Sequence, residues 1–334
     1  MYAGSIPTSA STYMRVLVTG SAGFIGSNLS QKLNENGHEV FGVDNLNDYY
    51  DVKLKKDRKK YFLDSNNIQF KKIDICDENL LFPYLNEIQP QAIIHLAAQA
   101  GVRYSKINPK SYISSNIQGF FNIIDFSRIN NLEKTIFASS SSVYGNLNRV
   151  PFKEKLKLDN PLSLYAASKL SNEIIAKSYS HSFNFSSTGL RFFSVYGPWG
   201  RPDMAYFTFT EKILRGEEIN LFEKGQLLRD FTYIDDISTS IEKLLSNEDS
   251  TNSNCNIYNI GNSKPIKVID LLKNLEELLN MKAKVIYSGK EQGEVKQTFS
   301  DSSKLFRKIS FKPDTSFKEG LKKFVEWYLD YKGK

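Results

Sequence analysis

RVLVTGSAGFIGSNLSQKL, Arg15 to Leu33, is the stretch whose reading decides the fold. RVLVTG, rich in β-branched residues, reads as a strand, and Ile25, Leu29 and Leu33 follow at four-residue spacing as one face of a helix. Gly20, Gly23 and Gly26 occupy the turn between them and the first helical turn, with Phe24 and Ile25 inside the triplet. Glycine permits the tight turn and lets the backbone approach a diphosphate, whose charge the helix N-terminus favours. Three glycines alone are a weak signal. A strand before them and an amphipathic helix after them make this a candidate dinucleotide cradle.

Outward from that cradle, HEVFGVD (His38 to Asp44) is the next strand, and it ends in an acid. Asp44, followed by Asn45, is placed to accept hydrogen bonds from adenosine ribose hydroxyls, and a carboxylate there repels a 2′-phosphate, which favours NAD over NADP. DN is also a common turn opening, the plainer reading of the pair. IQFKKID (Ile68 to Asp74), QAIIHLAA (Gln91 to Ala98), KTIFASS (Lys134 to Ser140) and SSTGLRFF (Ser186 to Phe193) continue the series, and Ile113, Ile117, Phe121 and Ile124 mark a long helix before the fifth strand. Strands separated by helices imply parallel βαβ units with right-handed crossovers. The expected fold is α/β, a Rossmann-type doubly wound parallel sheet. Ligands in such sheets sit at the carboxyl ends of strands. Asp74 and Ile75 are therefore candidate adenine contacts, and Leu96, Ala97, Ala98 and Gln99 either line the cofactor crevice or simply pack.

Past residue 195 the alternation weakens, and Pro, Gly and aromatic residues cluster in YGPWGRPDM, Tyr196 to Met204. The expected division is a flexible leader over 1–13, a dinucleotide-binding domain over 14–194, and a smaller mixed α/β substrate lobe over 195–330 with some segments returning to the main domain. INLF (Ile219 to Phe222) and CNIYNIG (Cys255 to Gly261) are short strands of that lobe, Asp235 to Leu245 and Val268 to Asn280 its helices. SNEDSTNSN (Ser246 to Asn254) is a polar surface loop. Phe317, Leu321, Phe324 and Tyr328 form one face of a final helix.

The chain has 334 residues, 40% hydrophobic and 24% charged, enough to bury a sizeable core and too balanced for wholesale disorder. Two cysteines, Cys76 and Cys255, exclude a disulfide framework, and with only three histidines at no ligand-like spacing a metal site is not expected. A reducing, cytoplasmic setting follows from that cysteine usage, with no membrane span. His95, in an apolar strand, reads as a satisfied core histidine. The net charge of +7 suits an anionic partner without naming it. The densest basic run, KLKKDRKK (Lys53 to Lys60), is too short and mixed for a nucleic-acid arm and reads as a solvated helix face.

Tyr165 and Lys169 stand four apart in YAASK, on one helical face, downstream of SSSSVYG (Ser139 to Gly145). Oxidising an alcohol requires a base for the hydroxyl proton while hydride leaves carbon. An ordinary phenol titrates near 10, so half-ionising it at pH 7 takes about 4 kcal/mol of preferential phenolate stabilisation. Lys169 and a nicotinamide cation are the expected source, with the Ser140 hydroxyl donating or relaying to the same oxygen.

The glycine turn, SSSSVYG and YAASK resemble the extended short-chain dehydrogenase/reductase family. Within it, AAQAGVRYS (Ala97 to Ser105), LRFFSVYGPWGRPDMA (Leu190 to Ala205) and RDFTYIDD (Arg229 to Asp236) resemble UDP-glucuronate 4-epimerases, over nearly the whole chain. The resemblance implies tightly held NAD, a UDP-sugar substrate, a homodimer through a helix bundle, and a cofactor-proximal place for Asn116. It also implies that Arg229 binds the diphosphate. Arg201, between Gly200 and Pro202 in a loop, is a second phosphate or carboxylate candidate. Arg103 is either a substrate contact or a loop anchor, and Leu221 and Phe222 either border the uracil or pack in the core. Related dehydratases carry Asp-Glu where Ser141 and Ser142 stand, and related decarboxylases a Glu, so the resemblance favours simple 4-epimerisation here. Ser194 stands where hexose epimerases usually have Asn; Ser141, Ser142 and Ser194 become the candidate grip on a C6 carboxylate. EQGEV (Glu291 to Val295) departs from the family's usual QPGDV. The alternatives are a UDP-N-acetylglucosamine or UDP-glucose 4-epimerase and, from another class, an inactive NAD-binding scaffold.

Overall fold

The computed structural model describes residues 13–247, 254–289 and 295–333. Residues 1–12, most of the polar loop at 246–254 and Glu291 to Glu294 of EQGEV lie outside the described residues. The strands are β1 (Arg15–Thr19), β2 (Glu39–Asp44), β3 (Gln69–Lys72), β4 (Ala92–His95), β5 (Lys134–Ser140), β6 (Ser187–Phe192), β7 (Ser194–Tyr196), β8 (Glu218–Phe222), β9 (Leu228–Tyr233), β10 (Cys255–Ile260), β11 (Pro265–Lys267) and β12 (Lys284–Ser288). The helices are α1 (Phe24–Glu35), α2 (Val52–Arg58), α3 (Glu78–Ile88), α4 (Pro109–Ile113), α5 (Gly119–Ile129), α6 (Leu164–Phe183), α7 (Ala205–Arg215), α8 (Ile234–Leu245), α9 (Val268–Leu279), α10 (Ser303–Ile309) and α11 (Phe317–Lys332).

Among the described residues seven strands form one parallel sheet in the order β10-β6-β5-β4-β1-β2-β3. The chain leaves β1 to one side through β2 and β3 and returns to the other through β4, so the strand order reverses between β1 and β4. Loops diverge there and open the crevice characteristic of doubly wound sheets. Val16, Leu17, Val18, Ile93 and Ile94 are wholly buried because helices cover both faces, which is why these strands read as continuous apolar runs. A three-stranded sheet (β11-β9-β7) and a β12-β8 pair lie beyond the carboxyl ends of the main strands.

Three differences from the sequence reading have local causes. CNIYNIG does not sit in the outer lobe: as β10 it pairs in parallel with β6, Ile257 opposite Gly189, and forms the edge of the main sheet. Its neighbour α8 packs on α1. On the helix before β5 the expected face is displaced, with Ile113 and Phe121 exposed and Tyr112, Asn116, Phe120 and Ile124 buried. A π-helical turn at Ser114–Gln118 widens the repeat, and the apolar positions step with it. KLKKDRKK is not a solvated face: Lys55 and Arg58 are buried. Arg58 donates from Nε to the Trp199 carbonyl (2.8 Å), from Nη2 to the Gly200 carbonyl (2.8 Å) and from Nη1 to Tyr50 Oη (2.6 Å), clamping the YGPWG turn to α2. The final helix packs as read, with Leu321, Phe324 and Tyr328 buried.

The longest helix, α6, begins where Ser163 accepts the Ala166 N–H at 3.0 Å. Its depth is set by a buried ion pair: Arg191 of β6 donates from Nε (2.8 Å) and Nη2 (2.7 Å) to the two oxygens of Glu173. Ser139 Oγ donates to the same carboxylate at 2.6 Å, and Arg191 Nη1 reaches Tyr144 Oη at 2.9 Å. With both partners fully enclosed, removing one strands the other charge, a loss of about 3–5 kcal/mol. Glu173→Ala is expected to lower unfolding stability by that order in urea titration, and Glu173→Gln by less. A change in midpoint no larger than for an exposed pair such as Lys322–Glu326 would show that the network does not hold the helix.

Candidate active site

The carboxyl ends of β1, β2, β3, β4, β5 and β6 open into one cavity of about 1180 Å³ that runs from the glycine turn to β8. At its floor Gly20 has φ +73°, and a Cβ there would stand 2.7 Å from the Ala97 nitrogen. A Cβ on Gly26 would collide with the Gly20 carbonyl. The turn is thus packed to contact without side chains, and Gly23 caps α1 with no side-chain acceptor, so the first-turn N–H groups of Phe24 and Ile25 face a cavity they both line. Across the crevice Ala97 N–H donates to Thr19 Oγ1 (3.2 Å), which meets His95 Nδ1 (2.8 Å). Burial, then the Lys169 charge, pushes the His95 ring down to about 3, so it is neutral and shares one proton with Thr19 Oγ1. That makes His95 a satisfied core histidine.

Asp44, at the end of β2, accepts the Leu46 N–H at 2.8 Å on one oxygen and the Ala22 N–H at 3.2 Å on the other. Burial raises its carboxyl above the ordinary range, against those two N–H groups and the Lys55 charge. Lys55, which sequence reasoning left on a solvent face, lines the cavity and donates to Asn47 Oδ1 (2.7 Å) and carbonyl (2.6 Å). Asn45 donates to Asp74 Oδ2 at 2.9 Å, fixing both at the cavity wall beside Ile75. Leu96, Ala97 and Ala98 line it as well. Gln99 and Asn116 do not: both are buried behind the wall, where Asn116 Oδ1 accepts the Gln99 N–H (2.8 Å) and its Nδ2 donates to the Gln99 carbonyl (3.0 Å) and Ser168 Oγ (3.0 Å). They brace α6 against the cradle instead of facing a ligand.

Tyr165, Lys169 and Ser140 meet on the central wall. Ser140 Oγ accepts both the Ser142 N–H (3.2 Å) and the Ser142 hydroxyl (3.0 Å), which leaves its own proton for the Tyr165 oxygen. Burial raises the Tyr165 phenol above its usual value, and the Ser140 hydrogen bond and the Arg201 charge pull it back. Burial lowers the Lys169 ammonium to about 7, and its Nζ donates to the Ala138 carbonyl at 2.8 Å.

Toward the outer sheets the cavity is lined by Ser141, Ser142, Ser194, Arg103, Arg201, Leu221, Phe222 and Arg229. Leu221 is buried in the core and touches the cavity only by its edge, whereas Phe222 is half-buried. Ser194 heads β7 opposite Phe231 of β9, two residues beyond Arg229. Arg201 is held by Asp203, Nε to Oδ1 at 3.0 Å and Nη2 to Oδ2 at 2.5 Å. The carboxylates on the described wall are Asp44 and Asp74 at the cradle end and this ion-paired Asp203. Asp203 and Tyr49 escaped the sequence reading because their link spans 154 positions and no periodicity announces it.

The profile of the NAD dependent epimerase/dehydratase family matches residues 16–261. UDP-glucuronate 4-epimerase 4 of Arabidopsis thaliana is 46% identical over 340 residues, covering 98% of this chain and 78% of the relative. The crystal structure of UDP-glucuronic acid 4-epimerase from Bacillus cereus, in complex with UDP-glucuronic acid and NAD, superposes with a TM-score of 0.87 at 32% identity over 95% of this chain and 100% of that one. A UDP-N-acetylglucosamine 4-epimerase from Methanobrevibacter ruminantium gives 0.83 at 29%, over 96% and 99%. The glycine turn, the acid that ends β2 and the Tyr-Lys-Ser wall fit the cofactor that two of these share in name or in crystal, and the chain belongs to the NAD dependent epimerase/dehydratase family as an NAD-dependent nucleotide-sugar 4-epimerase.

Proposed function

We propose that this chain interconverts UDP-glucuronate and UDP-galacturonate by reversible 4-epimerisation. The observation that carries the reading is the wall beside Tyr165: three hydroxyls, Ser141, Ser142 and Ser194, stand where an acid and base for elimination would be needed, and its one carboxylate among the described residues, Asp203, is tied to Arg201. When bound, NAD takes hydride from C4 of the sugar and returns it, so the cycle has no net oxidant. Tyr165 withdraws the C4 hydroxyl proton and gives one back once the 4-keto sugar has turned about its diphosphate linkage. Ser140 donates to the phenol oxygen throughout. Phe24 and Ile25 N–H groups hold the cofactor diphosphate, Asp44 with Lys55 its ribose, and Arg229 the substrate diphosphate.

A 4-keto uronate is a β-keto acid and loses CO2 when its carboxylate bond aligns with the carbonyl π system. Ser142 has its proton committed to Ser140, so Ser141 and Ser194 are the hydroxyls suited to keep that bond out of alignment. Conversion of UDP-glucuronate to UDP-galacturonate, followed by NMR, tests the reading. Ser194→Ala is expected to raise KM by about 10–100-fold, the worth of one hydrogen bond to a charged group, and to raise the decarboxylated fraction. Turnover of UDP-N-acetylglucosamine in preference to the uronate overturns the substrate, and no turnover of either with NAD bound revives the scaffold reading.

The proton chain predicts the pH response. A phenol raised by burial is the active base only above its pKa, so kcat rises with pH through the neutral range. Ser140→Ala removes a donor that lowers that pKa, so the rising limb moves to higher pH and kcat at pH 7 falls about 10–100-fold. Superimposable profiles of variant and wild type would contradict the assigned donor.

Assembly follows the same reading. Phe121 of α5, Tyr179 and Phe183 of α6 form a contiguous aromatic row, with Phe121 and Phe183 exposed together with Ile113 and Ile174. Exposed apolar surface on two adjacent helices suits a second copy of the same pair, packed as a four-helix bundle. Phe121→Arg with Ile174→Arg is expected to halve the mass seen by light scattering; an unchanged mass removes this interface.

A further inference from the structure

Asp203 and Tyr49 belong to segments far apart in the chain and meet over the cavity mouth. Tyr49 Oη donates to Asp203 Oδ2 at 3.1 Å, while Arg201 binds the same carboxylate through Nε and Nη2. Tyr49 lies in the 45–51 loop, which is anchored at the cofactor acid: Asp44 accepts the Leu46 N–H at 2.8 Å and Asn47 accepts Lys55 Nζ. The close approach of that ring needs Gly101, φ +98°, since a Cβ there would strike the Tyr49 hydroxyl. All three side chains line the cavity, and Tyr49 packs on Tyr104 at 4.7 Å between centroids.

We propose that Asp203 and Tyr49 are positioning residues for the epimerase reaction: they fix the Arg201 guanidinium beside Tyr165 and tie its placement to the loop that follows the cofactor acid. This rests on the reading that Arg201 meets the UDP-sugar. Side chains of the pair keep 26% and 32% exposure, so the ion pair itself adds little stability and its bidentate geometry serves placement. Arg201 and Asp203 line the same cavity as Tyr165, and Tyr49 is joined to Tyr165 by a run of rings, Tyr49–Tyr104, Tyr104–Tyr112 and Tyr112–Tyr165, with centroids 4.7, 6.5 and 6.1 Å apart, which puts the pair at the chemical end of the site. A loose arginine at that end costs kcat more than KM.

A double-mutant cycle tests this on the NAD-bound enzyme, with whichever UDP-hexose the wild type converts. Asp203→Asn is expected to lower kcat about 10-fold and Tyr49→Phe about 3-fold, each with KM within 2-fold, while in an Arg201→Ala background both changes shrink to under about 2-fold because their effect passes through the arginine. Bound NAD per protomer and the thermal midpoint are read alongside, and Asp203→Glu, which keeps the charge, is expected to restore part of kcat. Losses that persist undiminished in the Arg201→Ala background, or no loss in the wild-type background, overturn the positioning role. Full activity of Arg201→Ala alone instead overturns the substrate role of Arg201, a separate failure.

Discussion

Two charges taken out of water, Glu173 on α6 and Arg191 on β6, set where the chemistry happens. Removing them from solvent is costly, and the cost is offset only by a geometry in which both guanidinium edges, the Ser139 hydroxyl and the Tyr144 phenol are satisfied at once. That requirement leaves α6 one depth and one rotation against β5 and β6. Tyr165, Lys169 and Glu173 share a face at successive four-residue steps, so fixing Glu173 presents the other two to the crevice. Ser139 and Ser140 are neighbours on β5, one turned to the ion pair and the other to the cavity, as alternate residues of a strand must be. One buried pair therefore indexes phenol, ammonium and hydroxyl relative to one another.

Burial dominates the electrostatics of that wall. Lys169 is so deeply enclosed that burial brings it down to about 7, and the protein feeds it a carbonyl oxygen at Ala138. The groups that ease ionisation of Tyr165 are a hydroxyl, oriented because Ser142 already donates to it, and the Arg201 cation, tempered by Asp203. Ionisation of a buried phenol is opposed by the same desolvation that strengthens every charge interaction around it.

The net charge of +7 also takes on a more definite meaning. Its densest run contributes two internal cations, Lys55 beside the Asp44 carboxylate and Arg58 clamping the turn that precedes Arg201. The cationic field that two polyanionic ligands require is thus built from a few placed side chains. Lysines on the outer faces of α2 and α11 pair locally with acids, as Lys53 does with Asp57 and Lys323 with Glu319.

Much of this was determined by sequence alone, because it is local. A strand, three glycines and an amphipathic helix within nineteen positions specify the cradle, since backbone sterics at Gly20 and Gly26 admit no side chain. Alternation of strand and helix specifies a parallel sheet, and four-residue spacing places Tyr165 and Lys169 together. Tertiary structure decided what depends on partners distant in the chain. CNIYNIG carries a strand pattern that fits either region, and only the open edge of β6 assigns it to the main sheet. KLKKDRKK has the composition of a solvated face, yet Arg58 is drawn inward because the Trp199 and Gly200 carbonyls, over 140 positions away, need donors. The family resemblance places Asn116 near the cofactor and a carboxyl strand end does the same for Gln99, but a buried amide must be satisfied, and the partners that satisfy it are behind the wall. Periodicity reports which side of an element is apolar; which polar groups face a ligand is settled by hydrogen-bond accounting across the fold.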